Sequence, residues 1–198
     1  AFRAWTNDFS AQRNFALEQT DADWVLYLDA DERLNENVIA EVKRIVASGV
    51  MDAQYAFTRK SGAFGKIFSY GVLYPDQVRR LFPRKAVVWV NKVHEHPECK
   101  LPEKHLSGYV THYTYKDWYE WEGKLCLYTT IWAEDAYKKG KRTTMAGIFQ
   151  HSVGAFFKMF VLRRGFLDGG LGIYLCFAHG FYTMLKYLKL YDLQNKRK

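Results

Sequence analysis

The chain is poor in cysteine, and its few cysteines form no recognisable motif. Cys99, Cys126 and Cys176 are odd in number and far apart within 198 residues. This arrangement excludes a disulfide framework and indicates free, buried thiols in a reducing compartment. The chain also has no low-complexity segment, internal repeat or nucleic-acid-binding motif, so we expect no nucleic-acid partner. At 48% hydrophobic and 25% charged residues, its composition is that of a globular protein.

Acidic residues are scarce in the last third of the chain. From Lys138 onward there are twelve Lys and Arg but only two acids, Asp168 and Asp192. Long apolar stretches at 155–162 and 169–185 lie in the same region. Basic charge combined with apolar stretches favours an anionic membrane surface over nucleic acid. The 169–185 stretch is slightly short of a membrane span, so we predict an interfacial or buried helix there.

An apolar run that ends in two carboxylates is the most informative stretch of the sequence. Residues Trp24 to Leu28 are typical of a strand, and Asp29 and Asp31 follow directly. Carboxylates at the end of a buried strand lie at the edge where open α/β sheets bind ligands. Oxygen ligands so placed suit Mg²⁺ or Mn²⁺, which in turn bind phosphates. The alternative is that these acids only solvate a loop or cap the next helix.

Hydrophobic spacing predicts strands alternating with helices, and then helices alone. The class is therefore α/β, with a sheet domain over 1–116 and a helical, basic module over 117–198. Residues 61–74, with three glycines, are predicted to form a hairpin or mobile loop. The predicted helices are 9–18, a helix capped by Asn35 and ended by Gly49, 118–139, 144–162 and 167–190; the predicted strands are 24–29, 54–59, 79–82, 86–90 and 108–115.

Several segments resemble glycosyltransferase family 2, which has the GT-A fold, and in particular its bacterial lipopolysaccharide-core and envelope-glycan branch. The resemblance covers nearly the whole chain in the expected order. It rests on Ala11–Leu17, Asp23–Glu32 with its Asp-x-Asp, Arg79–Phe82 followed by Val93-His94-Glu95, and Arg163–Gly172 leading to Lys186–Leu190.

This resemblance implies an inverting transfer of a sugar from a nucleotide-sugar donor, expected to be UDP-linked. The acceptor would be a lipopolysaccharide or other envelope glycan, and the enzyme would lie peripherally on the cytoplasmic face of the bacterial inner membrane. The family's first two strands, which hold the base and ribose, have no counterpart here. We therefore expect about two βα units, on the order of 50–60 residues, to precede this sequence in such an enzyme. The chain is therefore expected to be a truncated GT-A domain that is inactive alone.

The resemblance also assigns roles to particular side chains. Asp29 and Asp31 would bind Mn²⁺ or Mg²⁺, with His112 as a third ligand or as a core histidine. Glu95 would be the catalytic base, with Asp76 in reserve; the alternative is a surface turn in which Glu95 only pairs with His94. Arg13 and Asn14 would bind the donor, although Arg13 also suits a solvated helix face. Apart from the resemblance, Arg79, Arg80 and Arg84 lie on a basic strand where any of them could face a diphosphate, and we prefer Arg80.

Two other readings compete with a transferase. One is a non-catalytic domain that interacts with membrane surfaces, supported by the basic apolar tail. The other is a zinc site formed by His94, His96, Cys99 and His112, whose residue types suit Zn²⁺ but whose spacing is not a standard one.

Overall fold

A computed structural model describes residues 2–4, 8–91 and 95–195. The chain forms two compact units, the first built from 1–59 and 76–112 and the second from 60–75 and 113–198. The sequence placed a boundary at 116/117, and the structure differs chiefly in assigning 60–75 to the second unit. Val93 and His94, which contribute to the family resemblance, lie outside the described residues.

Two helices of the first unit begin and end at the residues that the sequence indicates. Helix α1 spans Phe9–Glu18 and is capped by Asp8, whose carboxylate accepts a hydrogen bond from the Ala11 N–H. Helix α2 spans Glu36–Ser48 and is capped by Asn35 in the same way. It ends at Gly49, whose left-handed φ of 68° favours glycine. The predicted cap at Asn35 and the predicted end at Gly49 are confirmed.

Within the described residues, eight strands form one six-stranded and one two-stranded sheet. The main sheet has the order β1-β5-β3-β8-β2, with β4 paired to β3, while β6 and β7 pair separately. The β1–β5, β3–β5 and β2–β8 pairs are antiparallel. The expected α/β class, a sheet followed by helices, is confirmed. The strands are β1 Trp24–Leu26, β2 Glu32–Leu34, β3 Gln54–Ala63, β4 Lys66–Ile67, β5 Asp76–Pro83, β6 Val88–Val90, β7 His96–Glu98 and β8 Glu103–Tyr115.

The core of the first unit lies between its sheet and α2. Phe57 and Leu81 from the sheet pack with Val38 of α2 and Val110 of β8. Trp24, at the start of β1, packs against the same cluster. The apolar run before the Asp-x-Asp is therefore fixed to the core at its start, and its carboxylates follow where the chain leaves the sheet.

The second unit contains three helices and a β-hairpin. The helices are α3 Trp118–Lys138, α4 Met145–Phe157, which continues as a π-helical turn at Lys158–Leu162, and α5 Gly169–Asn195. Tyr187 and Leu190 of α5 pack with Ala133 of α3 and Ile148 of α4. Leu175 packs instead with the hairpin segment, so α5 contributes to both cores of this unit.

The Arg163–Gly172 segment organises the second unit. The buried Asp168 carboxylate accepts hydrogen bonds from the backbone N–H groups of Ser69 and Tyr70. A side chain on Gly172 would overlap the Gly165 carbonyl, so the two segments approach backbone to backbone. Asp168 thus holds segment 60–75 to the helices.

Candidate functional site

A cleft of about 300 Å³ lies in the first unit and contains several of the predicted site residues. Four arginines and two carboxylates line it, so its wall carries a net positive charge suited to an anionic ligand. Guanidinium groups pair well with phosphate oxygens because their N–H donors form a planar fork. The lining residues are Arg13, Asp29, Arg59, Gln77, Val78, Arg79, Arg80, Trp89, Glu95 and Pro97.

The Asp29 carboxylate lies between two arginines. Arg80 donates to one carboxylate oxygen at 2.7 Å, and Arg13 donates to the other at 2.9 Å. Burial raises the pKa of Asp29, but the charges of Arg80 and Arg13 outweigh burial and hold the pKa below its ordinary value. Asp29 is therefore an anion at neutral pH, and it orients both guanidinium groups in the cleft.

Glu32 anchors this network from the protein interior. Its side chain is fully buried, accepts a 2.6 Å hydrogen bond from Arg80 and lies 3.6 Å from a guanidinium nitrogen of Arg59. Its other carboxylate oxygen accepts from the Asp29 backbone N–H at 3.2 Å. One buried carboxylate thus fixes both the turn that carries Asp29 and the arginine that binds it.

Glu95 lies in the same cleft as Asp29. Its carboxylate is 3.8 Å from the Arg13 guanidinium, and about a quarter of its side chain is exposed. A carboxylate that reaches solvent inside a cationic cleft can accept a proton from a bound hydroxyl. The structure thus brings the predicted base together with Arg13, Asp29 and Arg80.

Arg13 and Asn14 act on Trp89 in different ways. The Arg13 guanidinium lies over the Trp89 ring, 4.5 Å from its centroid. The Asn14 amide bonds the Trp89 backbone twice, donating to its carbonyl at 2.8 Å and accepting from its N–H at 2.9 Å. Asn14 was predicted to bind the donor, but its amide is engaged in holding Trp89 in place.

Asp31 lies beside His112. The two strands β2 and β8 pair so that Glu32 faces His112, and the Asp31 carboxylate is 3.1 Å from the His112 Nε2. These atoms are an oxygen and a nitrogen donor of the types that Mn²⁺ accepts. However, no group of three or more His, Cys, Asp or Glu side chains is arranged for a metal among the described residues. The predicted set fits a cation only in part, because Asp29 binds arginines.

The structure places the reserve base, Asp76, outside the cleft, and it describes only part of the zinc alternative. Asp76 forms a two-point ion pair with Arg59, at 2.7 and 3.0 Å, and does not line the cleft. The zinc reading needs His94, which lies outside the described residues. His112, a second zinc candidate, contacts Asp31.

Sequence reasoning gave no role to Glu32, Arg59 or Trp89. Glu32 is adjacent to the Asp-x-Asp, so its acidic type was visible, but burial of a third acid has no signature in the sequence. Trp89 lies inside a predicted strand, where an aromatic residue normally indicates core. Only the fold shows that Arg59 and Trp89 line the cleft and that the buried Glu32 pairs with Arg80 there.

A second cavity, of about 570 Å³, lies within the second unit. It is bordered by the hairpin turn that joins β3 and β4 and by the end of β8. At the turn, Phe64 adopts a φ of 52° and stacks on Trp118, with ring centroids 3.9 Å apart. Tyr115 lines the cavity and lies near-parallel to Phe64.

Comparison with known proteins gives a consistent class of relatives. No family model matches the chain. An uncharacterized glycosyltransferase of Rickettsia prowazekii is 25% identical over 95% of this chain and 68% of the relative. A second, from Rickettsia typhi, is 24% identical over 95% and 68%. Glycosyltransferase SunS of Bacillus phage SPbeta is 31% identical over 48% of this chain and 22% of its own length.

These relatives support a glycosyltransferase. The similarity to the two rickettsial glycosyltransferases extends over nearly the whole chain, so it includes both compact units. Such a transferase implies in general a nucleotide-sugar donor and a glycan acceptor.

Proposed function

We propose that this protein transfers a sugar from a UDP-linked donor to a lipopolysaccharide or other envelope glycan, with inversion at the anomeric carbon. The observation that carries the proposal is the cleft in which Arg13, Arg80 and Glu95 meet around Asp29. It combines cations for a diphosphate with a carboxylate for a hydroxyl. The assignment to family 2 and to its envelope-glycan branch rests on the sequence resemblance.

In the proposed reaction, Glu95 accepts the proton of the acceptor hydroxyl. The resulting oxygen forms a bond to the anomeric carbon as the bond from that carbon to the diphosphate oxygen breaks. The bonding electrons leave with the nucleotide diphosphate, and the arginines stabilise its added negative charge. Holding the donor and acceptor in line contributes to the rate by positioning alone.

Metal dependence is part of the proposal. Asp31 and His112 would hold Mn²⁺ or Mg²⁺ together with Asp29, and the cation would help neutralise the diphosphate. Because Asp29 pairs with Arg13 and Arg80, we assign no step to the cation. Binding of Mn²⁺ alone, measured by electron paramagnetic resonance, should weaken in Asp31→Asn.

We place the enzyme peripherally on the inner face of the bacterial cytoplasmic membrane. The support for this placement is the charge of the second unit, which carries 16 Lys and Arg against 7 Asp and Glu. Anionic lipids attract such surfaces over about a Debye length.

The test compares two glutamates of the same region. Glu95→Gln in the full-length protein should lower the transfer rate from UDP-hexose to lipopolysaccharide by about 10²–10⁴-fold, with UDP affinity nearly unchanged. Glu98→Gln is the matched control, since Glu98 is exposed on β7 and does not line the cleft. Loss of UDP binding in Glu95→Gln would make Glu95 a binding residue. Failure of the wild-type protein to bind UDP would favour a non-catalytic membrane-surface domain.

A further inference from the structure

Helix α4 has no charged side chain along its whole length. Met145–Phe157 contains no Asp, Glu, Lys or Arg, yet Ile148 is the one residue of this helix that is buried. With the π-helical turn that follows, Met145–Leu162 is long and apolar enough to cross a membrane, with a mean hydropathy of 1.3 and only 6% of it buried. Surface helices of globular proteins normally carry polar residues on the solvent side.

Large apolar side chains are exposed along α4, beside the exposed polar residues Gln150 and His151. At about 100° per residue, Phe149, Phe157 and Val161 project from one half of the helix, and Met145 borders them. Phe149 is 70% exposed and Phe157 is 54% exposed. We call these four residues the apolar face. Large apolar side chains grouped in this way mark a contact surface.

Another part of the α4 surface packs on protein. Gly180 of α5 lies close to the Ser152 carbonyl and to Phe156, and the Phe156 ring is 4.6 Å from that of Phe177. Leu175 of α5 is buried against the hairpin segment of the same unit. Because one side of α4 is covered by a folded unit, the geometry favours a helix that lies along a surface over one that crosses a bilayer.

Basic residues flank this helix on both sides. Between Asp135 and Asp168 the chain has seven Lys and Arg and no acid. Lys138, Lys139, Lys141 and Arg142 precede α4, while Lys158, Arg163 and Arg164 follow it. An apolar surface between two groups of cations complements an anionic bilayer, whose phosphates lie above its acyl chains.

We propose that α4 lies in the plane of an anionic lipid bilayer, with its apolar face at the boundary between headgroups and acyl chains. The flanking basic side chains would bind lipid phosphates. The inference rests on the membrane localisation proposed above and identifies the helix responsible. It does not require the transferase chemistry.

The test uses the full chain and vesicles of phosphatidylglycerol and phosphatidylcholine, with pure phosphatidylcholine vesicles for comparison. The wild-type protein should sediment with the anionic vesicles. Phe149→Glu and Phe157→Glu should each weaken that binding by about tenfold or more, because each removes an aromatic side chain that would enter the bilayer and adds a charge. Tyr119→Glu on α3 makes the same chemical change at an 86% exposed site outside the apolar face and should bind like the wild type.

A second variant tests the contribution of charge. Replacing Arg163 and Arg164 together by Gln should lower affinity for anionic vesicles by roughly tenfold or more, at about 1 kcal/mol per basic residue. It should change the weak binding to pure phosphatidylcholine little. Circular dichroism and thermal unfolding of every variant verify that both units remain folded.

Several outcomes would overturn the proposal. Unchanged binding of Phe149→Glu and Phe157→Glu would show that another surface docks, while membrane localisation would stand. If the wild-type protein bound neither kind of vesicle, the docking of α4 and the proposed membrane localisation would both be rejected. UDP binding would still test the transferase separately. A dimer that Phe149→Glu dissociates, without vesicle binding, would assign the face to a second copy. Resistance to carbonate extraction would show that α4 spans the bilayer.

Discussion

The buried Glu32–Arg80 pair determines how the cleft is charged. Both side chains are almost fully removed from solvent, and each has the other as its closest charged partner. A buried ion pair is not necessarily stabilising as a whole, but loss of one partner leaves an uncompensated charge. Glu32, to which the sequence assigned no role, is therefore expected to be among the residues most sensitive to substitution.

Glu32→Gln should destabilise the fold by about 3–5 kcal/mol, because it leaves the Arg80 guanidinium buried with half of its carboxylate contacts. The free energy of unfolding in urea measures this effect. Glu36→Gln is the control, since Glu36 is exposed in the first turn of α2 and should cost well under 1 kcal/mol, about the range of a surface helix-end charge. Equal effects of the two variants would contradict the anchoring role of Glu32.

Asp29 should make stability depend on pH at the acidic end. Its folded-state pKa lies below the ordinary value of 3.8, so the unfolded state binds its proton first as the pH falls. The stabilisation is complete above the ordinary value and is lost as the pH falls through the lower folded-state pKa. The melting temperatures of wild type and Asp29→Asn should therefore converge between pH 5 and about pH 2. A constant difference over that range would show that Asp29 is not a pairing carboxylate.

At the scale of elements, most of the sequence prediction depended on helix-capping residues and on the spacing of hydrophobic residues. Asn35 and Gly49 indicated the ends of α2 because capping depends on local hydrogen bonds and backbone angles. Strand β2 was missed, since its three residues become a strand only by pairing with β8. The Arg80–Asp29 contact joins residues 51 positions apart, and only the β1–β5 pairing brings them together.

The close approach of α5 to the segment before it can be tested with two neighbouring glycines. Gly172→Ala should destabilise the second unit by about 1–3 kcal/mol, because the new methyl group would overlap the Gly165 backbone. Gly170→Ala has no atom within 4 Å of the new group and should be neutral or stabilising by up to about 1 kcal/mol. Thermal unfolding of the two variants distinguishes them. If Gly170→Ala were the less stable variant, the approach of α5 to the Gly165 backbone would be looser than described.

At the scale of the whole molecule, the two units differ in net charge. The first unit has 13 Lys and Arg against 14 Asp and Glu, whereas the second has 16 against 7. The net charge of +8 is therefore a property of the second unit alone. Charge counts were visible in the sequence, but the grouping of 60–75 with the helices was not, because long-range packing determines it.

Salt should therefore affect two kinds of binding differently. Raising the NaCl concentration from about 0.05 to 0.5 M should weaken association with anionic vesicles strongly, because exposed charges are screened beyond a few ångströms. UDP binding should fall less, since Arg80 is largely buried and Arg13 is 18% exposed. Sedimentation measures the association with vesicles and calorimetry measures UDP binding, both at matched salt concentrations. Parallel losses would indicate that UDP binds at an exposed surface instead of in the cleft.

The stacking of Phe64 on Trp118 gives the protein an intrinsic optical probe. A non-glycine residue at a φ of 52° is unfavourable, and the contact with the indole ring stabilises that conformation. Movement of the hairpin turn would therefore change the surroundings of Trp118, and with them its fluorescence. The difference in emission between wild type and Trp118→Phe would report, without any label, whether a saccharide or lipid enters the neighbouring cavity.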